Sequence, residues 1–278
     1  MKSSLKWIID ADTANEVDDL FAIVRAVKEP AFDIRAINSV HWQTSHYATP
    51  DTLEDSQRMN GALMSLLGRP TMPLPRGAHK RLYDWGQTQA HYCHAALNLI
   101  EEARGAREDE RIQVMALGAL TNIASALLID PAIARKIDLY FLGTSYDFDT
   151  GILGKRDFNC VGDIHAVNVV LDCPELPVTL LPINVAAAFT FTYAEVVERL
   201  EPSIPVNQYL IHRWYTHLDG GRLQRVLWDL ALVELLIHPD RGTLVEVPAP
   251  AEHGHRSLKV FRELDVEFLK EDFFRACS

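Results

Sequence analysis

Short apolar runs alternate along this chain with longer stretches of helical spacing, and that alternation constrains the fold more than any other feature. LKWII (5–9) precedes the amphipathic DDLFAIVRAVKE (18–29), and FDIRAINSV (32–40) precedes a helical stretch at 51–67. RIQVMAL (111–117) and KIDLYFLG (136–143) read as strands around a helical TNIASALLI (121–129), and LPVTLLP (176–182) as a further strand. TYAEVVERL (192–200) and VLWDLALVELLI (226–237) read as helices, with TLVEVP (243–248) and LKVF (258–261) as late edge strands. This is the pattern of an α/β chain, with a mostly parallel, Rossmann-like central sheet and helices on both faces. No linker, repeat or low-complexity tract divides it, so one domain over residues 1–278 is expected. Such sheets bind ligands beyond the carboxyl ends of their strands, and functional residues are sought there.

Composition narrows the function classes. With 48% hydrophobic residues over 278 positions, the chain has the apolar content of a globular protein and not of a disordered one. No apolar run approaches the ~18–20 residues of a membrane span. The start, MKSSLKWIIDAD, reads as a buried strand and not as a secretory signal. A net charge of −11 without a Lys/Arg block argues against a nucleic-acid binder, whose phosphate contacts need a basic surface. Cys93, Cys160, Cys173 and Cys277 lie far apart, which indicates neither a zinc ribbon nor a disulfide framework. A reduced, cytoplasmic protein is the simplest expectation.

The first predicted strand runs into Asp10-Ala11-Asp12-Thr13-Ala14-Asn15-Glu16-Val17-Asp18-Asp19. Capping and the helix macrodipole account for one or two acids at the start of the following helix. They do not account for Asp10 and Asp12 at the end of an apolar strand, where unpaired charge is costly. So many carboxylates call for a cation, and oxygen-only surroundings favour Ca²⁺ or Mg²⁺. An EF-hand loop starting at Asp10 fails, because its sixth and twelfth positions hold Asn15 and Phe21 instead of Gly and Glu. A strand ending in DxD is also similar to the haloacid-dehalogenase phosphatases, although Ala14 stands where that family has Thr or Val.

The chain resembles the inosine–uridine nucleoside hydrolase family, whose signature is a strand, DxD, a short loop and DD. Three further stations match in order. ALGALTNIASAL (116–127) is similar to the family's ALGPLTN, RDFN (156–159) to its EFN, and LWDLALVELL (227–236) to its late acidic helix. The resemblance implies a nucleoside hydrolase fold and cleavage of a ribonucleoside's N-glycosidic bond with calcium as cofactor. It implies Asp12, Asp19, Asp229 and the carbonyl of Thr121 as calcium ligands, Asp12 also as general base, and Asp10 as their support. It implies Asp18, Asp157 and Asn159 on the ribose, with Gln43 standing roughly where the family has a substrate Asn. The implied partner is a small nucleoside, with no nucleic acid or membrane, and the family's habit implies a homodimer or homotetramer.

Departures from the family pattern shape the expectations. The loop TANEV between Asp12 and Asp18 is two residues longer than usual, and the family's GN before EFN is replaced by Asp149-Thr150-Gly151. Trp228 stands where many members have a His, which resembles the purine-preferring branch; a core Trp is the competing reading. In the Gly/Pro/aromatic-rich segment 72–91, long enough for a lid, Tyr83 or Trp85 would cover a base. His79, His91 and His94 read as solvated, and Tyr209, Trp214, Tyr215 and His217 as core packing on a helical pattern. The acidic segment suits a substrate that becomes cationic and disfavours phosphates. Hydrolysis of another N-riboside, a Mg²⁺-dependent phosphatase and a non-catalytic calcium-binding module stay open as alternatives.

Overall fold

The computed structural model describes residues 5–84 and 87–278; the side chains of Tyr83, Asp84 and Gln87 are also outside the description. Seven strands form the central sheet: β1 (Leu5–Ala11), β2 (Phe32–Ser39), β3 (Ile112–Ala116), β4 (Ile137–Leu142), β5 (Val178–Leu181), β6 (Gly242–Pro248) and β7 (Ser257–Leu264). Their order is β6-β7-β5-β4-β3-β1-β2. Every neighbouring pair is parallel except β6 with β7. The expected α/β class and the strands before residue 182 are therefore present. One expectation is corrected. Of the two late strands β6 alone lies at an edge, because β7 pairs on its other side with β5.

Helices cover both faces. Strand alternation sends Trp7, Ile9 and Ala11 of β1 into one apolar layer and Ile8 into the other. The first layer packs helices α1 (Asp18–Lys28), α2 (Thr52–Leu66) and, near the end of the chain, Pro205–Thr216, Trp228–Ile237 and Val266–Cys277. The second packs α3 (His94–Gly105), α4 (Thr121–Ile129) and, after the short α5 (Phe158–Gly162), α6 (Ile164–Leu171). After the short helices α7 (Ile183–Ala186) and α8 (Tyr193–Arg199), the late helices of the first layer are α9, α10 and α11 in chain order. α10 starts two residues later than its pattern suggested, because Gln224–Val226 pairs as a ribbon with Thr190–Thr192. Among the described residues no helix is long and apolar enough to cross a membrane.

The strand order places the site. From β1 the chain crosses one way to β2 and then returns past β1 to β3, so the direction of winding reverses between β1 and β3. A crevice opens beyond the carboxyl ends of strands at such a reversal. Those ends carry Asp10–Asp12 and Leu117–Thr121.

Candidate active site

Five aspartates converge at this crevice: Asp10 and Asp12 from β1, Asp18 and Asp19 from the first turn of α1, and Asp229 from the first turn of α10. None is more than 4% exposed. The residues at the N-cap positions, Val17 and Leu227, make no side-chain capping bond, so both helix starts present uncapped N–H groups and a positive dipole end to the acids. Asp18 and Asp19 thus do not sit at the N-cap position of α1, nor Asp229 at that of α10. The backbone N–H of Asp229 donates to Asp18 Oδ2 at 3.3 Å.

Close approach has two local causes. The turn after β3 lies directly on Asp12: a Cβ at Gly118 would meet Asp12 Cβ at 3.1 Å, and Leu117 N–H donates to the Asp10 carbonyl at 2.8 Å. Asp10 shares the face of β1 that carries Ile8 and so points toward α4. There Asn122 Nδ2 donates to Asp10 Oδ1 (3.0 Å) and to the Ser39 carbonyl (3.2 Å). Asn122 Oδ1 in turn accepts from Ala78 N–H at 2.9 Å, which ties the segment after α2 to the site.

The electrostatics are unbalanced in one direction. Burial, then neighbouring carboxylates, push Asp12, Asp19 and Asp229 well above the usual carboxylate range. Asp18 is raised by burial against the pull of the Asp229 backbone N–H. Asp10 is pushed up to about 7 by burial, with Asn122 and Asn38 opposing. Asp19 lies within hydrogen-bond reach of both Asp12 and Asp229. Four oxygens, Asp10 Oδ2, Asp12 Oδ2, Asp19 Oδ1 and Asp229 Oδ1, are buried without a hydrogen-bond partner. Oxygens of Asp18, Asp19 and Asp229 lie within 4.8 Å of one another. An acidic cluster of this kind, with orphaned and mutually repelling oxygens, is compatible with a hard divalent cation.

Beside the acids is a cavity of about 200 Å³, lined on its polar side by Asp12, Asp18, Asp19, Asp157, Asn159 and Asp229, with Trp228 in its wall. Asn159 Nδ2 donates to the carbonyls of Leu117 (3.0 Å) and Leu142 (2.9 Å), the ends of β3 and β4. With both amide protons used, Oδ1 is the atom left for a hydroxyl-bearing ligand. Asp157 caps α5 by accepting from Cys160 N–H (3.1 Å), and its other oxygen accepts from Thr144 N–H (2.7 Å). That second bond holds Thr144 at φ 66°, a left-handed position rare for a β-branched residue. Trp228 is half-buried and packs on the core while facing the cavity.

Of three further expected residues, one is placed elsewhere, one turns its side chain away from the cavity, and one is not among the described residues. Gln43 is corrected: its amide donates to the His79 carbonyl, and it lines a separate surface recess with His79, His91 and His94. Thr121 does not line the cavity with its side chain. Its hydroxyl donates to Asp163 Oδ2 at 2.7 Å and lies 3.0 Å from His41 Nε2. Trp85 lies outside the described residues. The sequence reading also missed cavity residues. Asn15 and Glu16 come from the lengthened loop, Phe158 from inside RDFN, and Ile183 from just beyond β5, where the strand-end rule already pointed. Tyr209, Trp214, Tyr215 and His217 divide: Trp214 is fully buried, whereas Tyr215 is exposed.

A family model described as inosine-uridine preferring nucleoside hydrolase matches residues 7–267. The chain is similar to a probable uridine nucleosidase 1 of Oryza sativa subsp. japonica, 23% identical over 264 residues, covering 86% of this chain and 78% of that protein. It is 27% identical over 211 residues to the pyrimidine-specific ribonucleoside hydrolase RihB of Escherichia coli (strain SE11), covering 70% of this chain and 64% of that one. A solved inosine-guanosine nucleoside hydrolase shares the fold with a TM-score of 0.79 at 21% identity, over 99% of this chain and 98% of that one. With the family match running almost from end to end over this fold, the chain belongs to the inosine-uridine preferring nucleoside hydrolases.

Proposed function

We propose that the protein hydrolyses the N-glycosidic bond of ribonucleosides, releasing ribose and free base, with calcium bound by the carboxylates of Asp12, Asp19 and Asp229 and the carbonyl of Thr121. The observation that carries this reading is the set of orphaned buried carboxylate oxygens of Asp12, Asp19 and Asp229, three residues that line one cavity. Bound by these residues, a divalent ion would lower the pKa of the attacking water.

The remaining chemistry belongs to the chain. Asp12 takes the water's proton. The surrounding carboxylates favour a ribosyl group that becomes cationic as the bond breaks, because stabilisation must be greater in the transition state than in the ground state. Asp18, Asp157 and Asn159 accept hydrogen bonds from the ribose hydroxyls, and Asp10 braces the cluster through Asn122. Trp228 stacks on the departing base, which supports a preference for purines. A phosphorylated substrate would bring negative charge to a negative cavity, so nucleosides are the substrates and nucleotides are not. We place the active form in the cytoplasm as a single-domain homodimer or homotetramer.

The test is ribose release from inosine, adenosine, guanosine, uridine and cytidine, each with and without a calcium chelator. Release that the chelator abolishes and added calcium restores is expected. Release unaffected by chelation removes the ion from the reaction, and no release from any nucleoside removes the activity.

A further inference from the structure

The acids that open α1 and α10 repel one another, and a 3.3 Å hydrogen bond from Asp229 N–H to Asp18 Oδ2 links the two helix starts directly. Both helices begin at the site and run away from it side by side. Their shared interface is apolar near the site, with Phe21, Val24, Leu230 and Val233 fully buried. Further along it is not. Arg25, seven residues or about two turns past Asp18, is 3% exposed and reaches across to Glu234, five residues past Asp229 and 0% exposed. Arg25 Nε donates to Glu234 Oε1 at 2.9 Å, Nη2 to Asp272 Oδ2 of α11 at 2.7 Å, and Nη1 to Glu29 Oε2 at 3.1 Å.

Two considerations give this cluster a role beyond stability. Glu234, His238 and Asp272 bring ligand atoms within 4.8 Å of one another, but the Arg25 guanidinium already occupies one oxygen of each carboxylate, Glu234 Oε1 and Asp272 Oδ2, and supplies the positive charge there. A buried ion pair returns little net stability compared with apolar residues of similar volume, and its best-attested use is to fix register. Leu or Met at both positions would pack this interface at no greater cost. What they would not do is define one axial position of α1 against α10.

We propose that the Arg25–Glu234 ion pair is a positioning element of the site, setting the register of α1 against α10 and thereby the spacing of Asp18 and Asp19 from Asp229. Asp272 completes the fork and ties the same register to α11. The inference rests on the reading that these acids hold a divalent ion.

The experiment replaces Arg25→Met together with Glu234→Met. One positive and one negative charge leave together, so the field at the acids is nearly unchanged and an altered ion affinity reports geometry. Three quantities are measured: the thermal midpoint with chelator present, terbium affinity by luminescence titration as a probe of the ion site, and kcat with KM for the best nucleoside. The thermal midpoint is expected to fall, because Asp272 loses the guanidinium while keeping Arg275 and His238, and terbium binding by the folded variant is weakened about tenfold or more, the usual cost of losing groups that orient metal ligands. kcat falls further than KM changes. Arg25→Lys, which keeps the charge and loses the fork, gives an intermediate loss of terbium affinity, and it carries the test if the double variant does not fold. Terbium affinity equal to wild type in the folded variants overturns the proposal while leaving the hydrolase reading intact. Wild-type protein that binds no terbium and cleaves no nucleoside overturns that reading, and this one with it.

Discussion

Asp12 combines burial, contact with Asp19 and a place on the cavity wall, and each property makes a separate demand on its replacement. Asp12→Asn keeps the shape and removes the charge, so the fold is retained while kcat falls by about 10²–10⁴, the range for loss of a general base. A steady-state kcat within tenfold of wild type would remove Asp12 from that role. Trp228 offers a sharper comparison, because one ring serves both the core and the cavity. Trp228→Ala is expected to lower kcat/KM for purine nucleosides several-fold more than for pyrimidine nucleosides, in line with about 0.5–1.5 kcal/mol for a stacked aromatic pair. Equal losses across the bases would leave Trp228 as packing alone. Single residues were legible where their placement was costly: Asp10 and Asp12 ended an apolar strand, and only a site explains that. Gln43 was not, because its sequence position fits the family pattern while its rotamer, bonded to the His79 carbonyl, does not reach the acids.

At the scale of elements, periodicity revealed the long pieces and missed the short ones. β1, β2, β4 and α1 each run six residues or more with an apolar face, so their spacing is visible in the sequence. The ribbons at 145–147 with 152–154 and at 190–192 with 224–226 run three residues a strand, too few to show a period, and the second displaced the predicted start of α10. Turns carry their information in glycine instead. A Cβ at Gly77 would lie 2.2 Å from the Ser39 carbonyl and 2.5 Å from Asn122 Nδ2, atoms already bonded to each other. Gly77→Ala therefore costs about 1–3 kcal/mol and disturbs the amide that holds Asp10. Gly61, inside α2 with nothing within 4 Å of its would-be Cβ, is the contrast. There Ala gains about 0.5–1 kcal/mol of helix propensity. Urea unfolding checks both, and midpoints that shift in the same direction would contradict the packing argument.

At the scale of the molecule, the site makes stability depend on proton and ion together. Burial raises Asp10, Glu16 and Glu234 to about 7, with Asp18 repulsion adding to the effect on Glu16. Asp12, Asp18, Asp19 and Asp229 are raised as well. In the unfolded chain these carboxyls titrate near pH 4. Between about pH 4 and pH 7 the folded chain thus holds protons that the unfolded chain has lost, and ion-free stability declines as pH rises through that window. His41 and His217, buried as neutral rings and pushed down to about 4, act in the opposite direction up to about pH 6.5. His238 is lowered by burial as well, yet seven raised carboxyls outweigh three lowered imidazoles, and above pH 6.5 these imidazoles no longer oppose them. A divalent ion needs the deprotonated ligands, so protons compete with it. With chelator present, the thermal midpoint is expected to fall from pH 5 to pH 8. Added calcium then raises it by more at pH 8 than at pH 5, because the ion replaces the protons that the cluster has lost. A calcium increment that is equal at the two pH values, measured by calorimetry in matched ionic strength, would mean that the raised carboxyls and the ion site are not the same groups.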